Sequence, residues 1–550
     1  MGKHLWGPLI ILMLFCVSCG DGSPVTGTDP SIADEDAVTT DELLELDDDP
    51  LPDADTRFDL FIAALKKDLA ESDAYGVSTA VIKDGAIIFA AAYGSKDPEG
   101  TTPLTPDTLM QIGSTTKQMT AAGLLRKVEA GTLALDDTLE ELLPSLEFAR
   151  DASWDDALTP HLLLSHQGGF YDWIPWNGPP DDTELADNTY GVYDELYYLM
   201  NPPGAFWNYS NPNFVLAGLI TETLDTRKWP DIMREDLFVP LGMDRTFLRK
   251  SEVEKDGDYA LSFGLGIDDL QSGESGPVTM EMMPDPGWGR PAGLVWTTPT
   301  QMLKWARFLM EGDPAVLADD LREKMVEEQV DTLYGMGTVH YGYGIFVERG
   351  YLSEAGEWYE VPVWEHGGNT LSFTNILYVF PEQDFAVAIC SSAYHTDFSH
   401  SLDAAVTSLA GLPAPVIDAP VYTIDPARFD NHIGTYYDPN NVGMLIVTRE
   451  GDQLLVEAPD LAGYGLSVTP QLTAISSDIF YLYIDGTPYD ITFIRTGEEG
   501  PSTYLRQRAF VATRVEDEMA SRRAPSRAAI ERWLSHARLD QIPLHLSPRP

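Results

Sequence analysis

The alternation of apolar and polar stretches predicts β-strands at both ends of the larger, N-terminal part of the chain. Residues 77–82 and 86–91 are apolar runs joined by Lys-Asp-Gly at 83–85, and an Asp-Gly pair readily supplies the positive φ angles of a tight hairpin turn. Residues 376–380 and 385–390 form a second apolar pair around a Pro-Glu-Gln-Asp turn. Helical and turn patterns fill the region between the two hairpins. The pattern predicts an α+β fold, with an antiparallel sheet flanked by helices and a helical subdomain, over residues 57–412.

A different pattern follows the proline-bearing stretch 413–426, which we interpret as a linker. Short apolar runs recur with glycines at the turns, and they predict strands at 444–448, 454–457, 479–484 and 489–495. Regular short strands of this kind are typical of a small all-β barrel or sandwich, here assigned to 427–515. The remaining residues, 516–550, form a tail that is locally basic.

The first 18 residues have the pattern of a signal peptide. Lys3 precedes the apolar stretch 5–17, which at about 13 residues is shorter than the roughly 20 that a membrane-spanning helix requires. Residues 16–20 read Cys-Val-Ser-Cys-Gly and resemble the lipobox of bacterial lipoproteins, in which Cys19 would become the lipidated N-terminus. An ordinary secretory signal is the alternative. Both interpretations predict an exported protein, and the first adds a membrane partner through the lipid anchor at Cys19.

Acidic residues dominate the segment 19–56, which predicts a solvated tether without a core of its own. Over all 550 residues, 35 Lys and Arg against 87 Asp and Glu give a net charge of −52. Such a polyanion repels phosphate backbones, so nucleic-acid binding is not expected. The three cysteines, Cys16, Cys19 and Cys390, are too few for a disulfide scaffold.

The segment Gly-Ser-Thr-Thr-Lys at 113–117 carries the first candidate chemistry. Residues three apart lie on one face of a helix, so Ser114 and Lys117 would present a hydroxyl and an amine side by side. Because the apolar stripe at 121–128 continues that face, the pair is expected to face the interior. Burial favours the neutral amine of a lysine, and a neutral amine beside a serine can take its proton. The alternative is a serine that caps the helix beside an exposed lysine.

Two further segments favour the catalytic interpretation of Ser114 and Lys117 over the capping alternative. Tyr-Ser-Asn at 209–211 leads into an apolar run, and His-Gly-Gly-Asn at 366–369 precedes the late hairpin. In this order, the three segments resemble the serine β-lactamase and penicillin-binding-protein superfamily, specifically its class C-like branch of esterases, D-amino-acid peptidases and lactamases. Three flanking sequence segments, at 159–166, 240–243 and 291–294, extend the resemblance over roughly 60–410. The β-rich segment 427–515 is similar to the lipocalin-like C-terminal domains of some members.

The resemblance implies a role for each motif residue. Ser114 would be the nucleophile that forms an acyl-enzyme, and Lys117 and Tyr209 would share the proton transfers. Asn211 would orient Lys117 and a substrate carbonyl. No metal and no cofactor is implied.

In the third motif, His366 stands where the family frequently has lysine, and Gly368 would let a substrate approach the backbone closely. The backbone N–H groups of Ser114 and Asn369 would form the oxyanion hole. A histidine makes the site less cationic near neutral pH, which disfavours capture of a β-lactam carboxylate. We therefore expect an esterase, D-amino-acid peptidase or amidase acting on a small-molecule or peptide substrate, ahead of a true β-lactamase.

Two alternatives remain open at the level of the sequence. The chain could be a non-catalytic lipoprotein of the same fold that binds cell-wall fragments, or an interaction protein whose C-terminal module recruits a partner. The intact set Ser114, Lys117 and Tyr209 favours the enzyme, since a binding protein has no need of a proton-transfer pair. The two histidines His161 and His166 lack the glutamate of a zinc-protease motif, and we expect both to be structural.

Overall fold

A computed structural model describes residues 56–146, 154, 157–173, 176–191, 197–270, 272–417, 419–497, 499–516 and 524–539. The helices are α1 (Asp59–Ala70), α2 (Thr116–Glu129), α3 (Leu139–Leu142), α4 (Pro160–Leu164), α5 (Glu184–Gly191), α6 (Asn211–Thr223), α7 (Trp229–Met233), α8 (Lys250–Asp256), α9 (Arg290–Gly293), α10 (Pro299–Glu311), α11 (Asp319–Met325), α12 (Ser399–Leu409), α13 (Pro459–Gly463) and α14 (Arg527–Leu539).

The strands are β1 (Gly76–Lys83), β2 (Ala86–Gly94), β3 (Met110–Gln111), β4 (Ser262–Gly264), β5 (Gly276–Val278), β6 (Trp296–Thr297), β7 (Val330–Asp331), β8 (Val339–Tyr341), β9 (Phe346–Glu348), β10 (Tyr351–Leu352), β11 (Trp358–Tyr359), β12 (Val363–Asn369), β13 (Thr374–Phe380), β14 (Phe385–Ser391), β15 (Gly434–Asp438), β16 (Gly443–Glu450), β17 (Gln453–Glu457), β18 (Thr473–Ala474), β19 (Ile479–Ile484), β20 (Thr487–Ile494), β21 (Tyr504–Gln507) and β22 (Phe510–Val515).

The larger sheet is antiparallel and unites the two predicted hairpins. Its eight strands run in the order β2-β1-β14-β13-β12-β9-β8-β7, so β1 from the start of the chain pairs with β14 from the late hairpin. Asp84 and Gly85 at the first turn have φ angles of 51° and 73°, which is the geometry that the Asp-Gly pair predicts. The predicted α+β fold is confirmed.

Helices cover both faces of this sheet because its central strands are apolar on both sides. On β1, Val81 packs with α1 and α12 on one face, while Ala80 and Ile82 belong to the main core on the other face, which includes α10. Helix α2 packs against α6 and α9 at the centre of that main core. The segment 113–117, which carries Ser114 and Lys117, therefore lies deep between the helices and the sheet.

The second sheet forms a barrel near the C-terminus. Its eight antiparallel strands run in the order β17-β16-β15-β22-β21-β20-β19-β18. The edges are joined because the chain just before β18 bonds to β17: the Val456 N–H donates to the Pro470 carbonyl at 2.7 Å, and the Leu472 N–H donates to the Leu454 carbonyl at 3.0 Å. The predicted barrel-like sheet is confirmed, and the structure adds β15, β18, β21 and β22 to the strands read from the sequence.

One hydrophobic core runs from the larger sheet's helices into the barrel, and it includes both Trp288 and Phe510. Helix α14 closes one side of the barrel, where the buried Trp533 donates its indole N–H to the Asn441 carbonyl at 2.9 Å. Among the described helices, none has the length and apolarity needed to cross a bilayer.

Candidate active site

Ser114 lies in a tight turn at the head of helix α2. The turn Gly113–Thr115 is a 3-10 helix that precedes α2, so the predicted helix begins with a tighter turn at the serine. Gly113 has a φ of +46°, and a Cβ there would lie 2.6 Å from the Asn369 backbone nitrogen. Only glycine fits such a position. The turn thereby brings Ser114, which is half-buried, against the end of strand β12.

Lys117 is completely buried beside Ser114, as the sequence predicted. Its Nζ atom lies 2.9 Å from Ser114 Oγ, 2.8 Å from Asn211 Oδ1 and 2.6 Å from the Ala292 carbonyl oxygen. The amide and the carbonyl oxygens can only accept, so they occupy two N–H groups of Lys117. A neutral amine at this position would have its lone pair within reach of the Ser114 hydroxyl. The geometry suits proton transfer from serine to lysine.

Asn211 is held in the orientation that this arrangement requires. It is the first residue of α6, and its backbone N–H and side-chain Nδ2 both donate to Asp172 Oδ1, at 2.7 and 3.0 Å. Since a carboxylate accepts only, the amide nitrogen must face Asp172 and the amide oxygen must face Lys117. Asp172 in turn receives two N–H groups of Arg508, each 2.7 Å from Oδ2.

Tyr209 stands on the same side of the site as Lys117. Its ring is 8% exposed, and the Lys117 Nζ atom lies 5.0 Å from the ring centroid. The His166 ring packs against it with a centroid separation of 4.1 Å, and the Arg508 guanidinium carbon lies 4.4 Å from the Tyr209 centroid. A tyrosine packed this closely has little freedom to swing away.

His166 supports Tyr209 as a neutral ring. Burial of the ring holds the pKa of His166 well below its usual range. The backbone N–H of Ser210 donates to His166 Nδ1 at 3.2 Å, so the ring proton is on Nε2. The structural role predicted for this histidine agrees with these contacts, and its position against Tyr209 helps to hold that ring in place.

The third motif lies along β12 beside the serine turn. The Thr115 hydroxyl donates to the His366 carbonyl at 3.0 Å, and a Cβ on Gly368 would lie 2.0 Å from the Ile112 carbonyl oxygen. Gly368 is therefore the point where the strand backbone touches the turn. This contact places Asn369 next to Ser114, where two backbone N–H groups could meet an oxyanion.

His366 is engaged at both ring nitrogens. Its Nδ1 donates to the Gly367 carbonyl at 2.5 Å, and its Nε2 lies 3.1 Å from the Tyr341 hydroxyl. Burial raises the pKa of Tyr341 well above its usual range, so this phenol keeps its proton and donates it. A neutral imidazole with its proton on Nδ1 satisfies both contacts.

The structure brings together all seven predicted site residues on the described part of the chain, namely Ser114, Lys117, Tyr209, Asn211, His366, Gly368 and Asn369. Cys19, the predicted lipidation site, lies outside the described residues. One group that could hold a metal occurs among the described residues: Asp68 on α1, Glu71 directly after α1, and His400 on α12. None of its members is a predicted site residue. The absence of a cofactor remains a prediction.

Sequence reasoning missed Asp172, Arg508 and Tyr341. Asp172 follows the resemblance segment that ends at His166 and could have been marked as a buried acid near the motifs. Arg508 lies in a short turn between two strands, with no periodic or motif signal around it. Its contact with Asp172 joins positions 336 residues apart, which no local pattern encodes.

A glycine pair on β12 offers a direct test of the packing at Ser114. We expect Gly368→Ala to lower the free energy of unfolding by about 1–3 kcal/mol, because the new methyl group would overlap the Ile112 carbonyl. Displacing β12 should also lower kcat/KM about 100-fold, since misplacement by about 1 Å has effects of that order. Thermal denaturation and ester hydrolysis measure the two effects.

The neighbouring Gly367→Ala is the control for that substitution. The nearest atom to a Cβ at Gly367 is the Asn375 carbonyl oxygen at 3.6 Å, which is ordinary contact. Its activity should remain near that of the native protein. Equal losses in the two variants would contradict the assignment of Gly368 as the contact point.

Comparisons with known proteins agree with the geometry. A family model described as Beta-lactamase matches residues 61–412. The chain is 27% identical to Penicillin-binding protein 4 of Amycolatopsis lactamdurans over 357 residues, which are 60% of this chain and 85% of that protein. It is 33% identical to D-aminopeptidase of Brucella anthropi over 177 residues, about a third of each protein. The crystal structure of SurE has a TM-score of 0.60 and 23% identity, covering 84% of this chain and 99% of that one.

Proposed function

The chain belongs to the beta-lactamase family of serine hydrolases, and from that premise we propose that it cleaves ester or amide bonds through an acyl-enzyme on Ser114. The observation that carries the proposal is the environment of Lys117. Two acceptor-only partners take up two of its N–H groups, and its Nζ atom lies 2.9 Å from the Ser114 Oγ atom, where a neutral amine can accept the hydroxyl proton. A binding protein would gain nothing from this arrangement.

Acylation begins with the transfer of the Ser114 hydroxyl proton to the Lys117 amine. The serine oxygen then bonds to the substrate carbonyl carbon, and the carbonyl oxygen takes up the negative charge. The backbone N–H groups of Ser114 and Asn369 stabilise that charge. Tyr209 donates a proton to the departing alcohol or amine as the bond to the carbonyl carbon breaks, and the lysine proton restores Tyr209.

Deacylation repeats these steps with water as the nucleophile. Tyr209 passes its hydroxyl proton to the Lys117 amine as it takes a proton from the water, whose oxygen attacks the acyl carbon. The Ser114 oxygen leaves with a proton returned through Lys117, and the carboxylic acid product departs. The net reaction adds one water across the ester or amide bond.

The contacts of His366 support a choice of substrate class. Its ring nitrogens are occupied by Gly367 and Tyr341 as a neutral imidazole, so it supplies no fixed positive charge for a β-lactam carboxylate. This supports esters and amides of D-amino acids ahead of β-lactams. The similarity to a D-aminopeptidase supports the same order. A place in the class C-like branch is part of this proposal.

Export and anchoring complete the proposal. The apolar segment 5–17 and the lipobox-like residues 16–20 support a lipoprotein held by a lipid at Cys19. The acidic stretch 19–56 would then separate the enzyme from the membrane surface. An enzyme at that location would meet substrates outside the cytoplasm, such as peptides that carry D-amino acids.

A substrate panel on the purified protein tests the proposed activity. The panel contains p-nitrophenyl esters, the p-nitroanilides of D- and L-alanine, and a chromogenic cephalosporin. We expect turnover of the esters and the D-anilide, with the L-anilide and the cephalosporin slower by at least about tenfold. Intact mass spectrometry after rapid quenching should show one acyl group per chain.

The enzyme proposal would be overturned if the folded protein turned over no substrate in the panel, or if it accumulated no acyl adduct. Binding of peptidoglycan fragments would then be measured by calorimetry, since the alternative is a non-catalytic protein that binds them. Faster turnover of the cephalosporin than of the esters would contradict the ranking of substrates and leave the enzyme proposal in place.

A further inference from the structure

The barrel's hairpin β21–β22 packs against the chain segment that carries Tyr209. The Tyr504 ring packs on the Phe206 ring with centroids 5.2 Å apart. The Arg506 guanidinium, which is buried, donates to the Trp207 carbonyl at 2.7 Å and lies 5.7 Å from the Trp207 ring centroid. These contacts tie the barrel to the residues immediately before the catalytic tyrosine.

The turn of the same hairpin enters the candidate active site. The Arg508 carbonyl accepts a hydrogen bond from the Asn208 side chain at 3.3 Å. The Arg508 guanidinium lies over the Tyr209 ring, 4.4 Å from its centroid, and pairs with Asp172, whose side chain is 2% exposed. A cation on an aromatic face and against a buried carboxylate is held by two independent attractions.

Arg508 also begins a chain of hydrogen bonds that ends at the nucleophile. It donates to Asp172 Oδ2, while Asp172 Oδ1 accepts the amide N–H of Asn211. The Asn211 oxygen accepts from Lys117, and Lys117 contacts Ser114 Oγ. The links from Arg508 to Lys117 have a fixed direction, because the guanidinium only donates and the carboxylate only accepts.

We propose that Arg508 is a positioning residue for the reaction, supplied by the C-terminal barrel. By holding Asp172 in place as an acceptor, Arg508 fixes the amide of Asn211, and the Asn211 oxygen fixes the position of the Lys117 amine. The inference rests on the proposed function, since it concerns the same nucleophile. It assigns the barrel a place in catalysis rather than in recruitment alone.

The physical reason for this dependence is the burial of Asp172. A buried carboxylate that loses its cation is strongly disfavoured, so Asp172 would move towards other donors or water. Once Asp172 no longer holds the Asn211 side-chain nitrogen, the amide can rotate and present that nitrogen to Lys117. Lys117 would then lose one of the two acceptors that position its amine.

The test compares Arg508→Gln with the native protein in ester hydrolysis. We expect kcat to fall about 10- to 100-fold with KM changed less than about threefold, because the lysine rather than the substrate is misplaced. Arg508→Lys, which keeps the charge, should recover most of the loss. Millimolar methylguanidinium should partly restore Arg508→Ala, an effect that a purely structural role would not produce.

A double-mutant cycle identifies the route through Asp172. If Arg508 acts through this carboxylate, Arg508→Gln combined with Asp172→Asn should lower kcat no further than Asp172→Asn alone. Additive losses would overturn the proposed route. The cycle relies on rate constants normalised to folded protein, so it remains informative where one variant is less stable.

Arg514→Gln is the matched control. Arg514 lies on β22 of the same barrel, and its guanidinium donates to the carbonyls of Asn431 and Ile433. We expect its kcat to match that of the native protein. If Arg508→Gln were as active as this control, the inference would be overturned while the proposed function stood. An inactive native protein would instead overturn the proposed function.

Discussion

Replacing Ser114 by alanine should abolish labelling by a fluorophosphonate probe and lower ester turnover by at least about 10⁴-fold. The fluorophosphonate reports an activated hydroxyl directly, because it transfers its phosphonyl group to the attacking oxygen and releases fluoride. Ser114 Oγ lies 2.9 Å from the buried amine of Lys117, so it is the hydroxyl expected to react. Gel fluorescence and intact mass spectrometry measure the labelling.

Ser408→Ala is the control for this substitution. Ser408 lies on helix α12, where its hydroxyl donates to the carbonyl of Ala404 within the same helix. Labelling and turnover should be unchanged in this variant. Labelling that persisted in a folded Ser114→Ala protein would show that another residue is the nucleophile.

Lys117→Met should have the second largest effect, with the rate of acylation lower by about 10²- to 10⁴-fold. Methionine has a similar length and no basic group, so the serine loses its proton acceptor while the volume of the site is kept. The change also leaves the Asn211 and Ala292 oxygens without their donor, at a cost to folding of about 1–3 kcal/mol for each buried acceptor. Stopped-flow release of p-nitrophenol, normalised to folded protein, measures the acylation rate.

Lys127→Met separates the role of Lys117 from a general effect of removing a lysine from α2. Lys127 lies ten positions further along the same helix and pairs with Asp225. Its replacement should lower the thermal midpoint and leave acylation near the native rate. Acylation at the native rate in Lys117→Met would show that a different group activates Ser114.

Much of the fold could be read from the sequence because it depends on local preferences. The Asp-Gly turn and the two apolar runs beside it specify the β1–β2 hairpin, whatever the rest of the chain does. The late hairpin β13–β14 is specified in the same way. The sequence did not predict β15, whose Tyr436 is buried but whose neighbours Thr435 and Tyr437 alternate with it only briefly. A strand this short is stabilised by its partners more than by its own pattern.

For the candidate site, the sequence by itself determined the pairing of Ser114 with Lys117. Their spacing of three residues places the two side chains on one face of a helical turn, and that is a local property of the backbone. The apolar stripe behind them predicted that the pair faces inward, and the structure buries Lys117 instead of leaving it exposed, which was the alternative. The order of the three motifs also identified the family before any long-range contact was known.

Only the tertiary structure decided the state of each group in the site. The tautomer of His366 depends on Tyr341, 25 residues away, and the orientation of Asn211 depends on Asp172, 39 residues away. The cation that holds Asp172 comes from the turn between β21 and β22, 336 residues along the chain. Contacts of this kind form when separately specified elements pack together. Hydrogen-bond direction and burial are therefore properties of the assembled fold, and a local sequence pattern does not contain them.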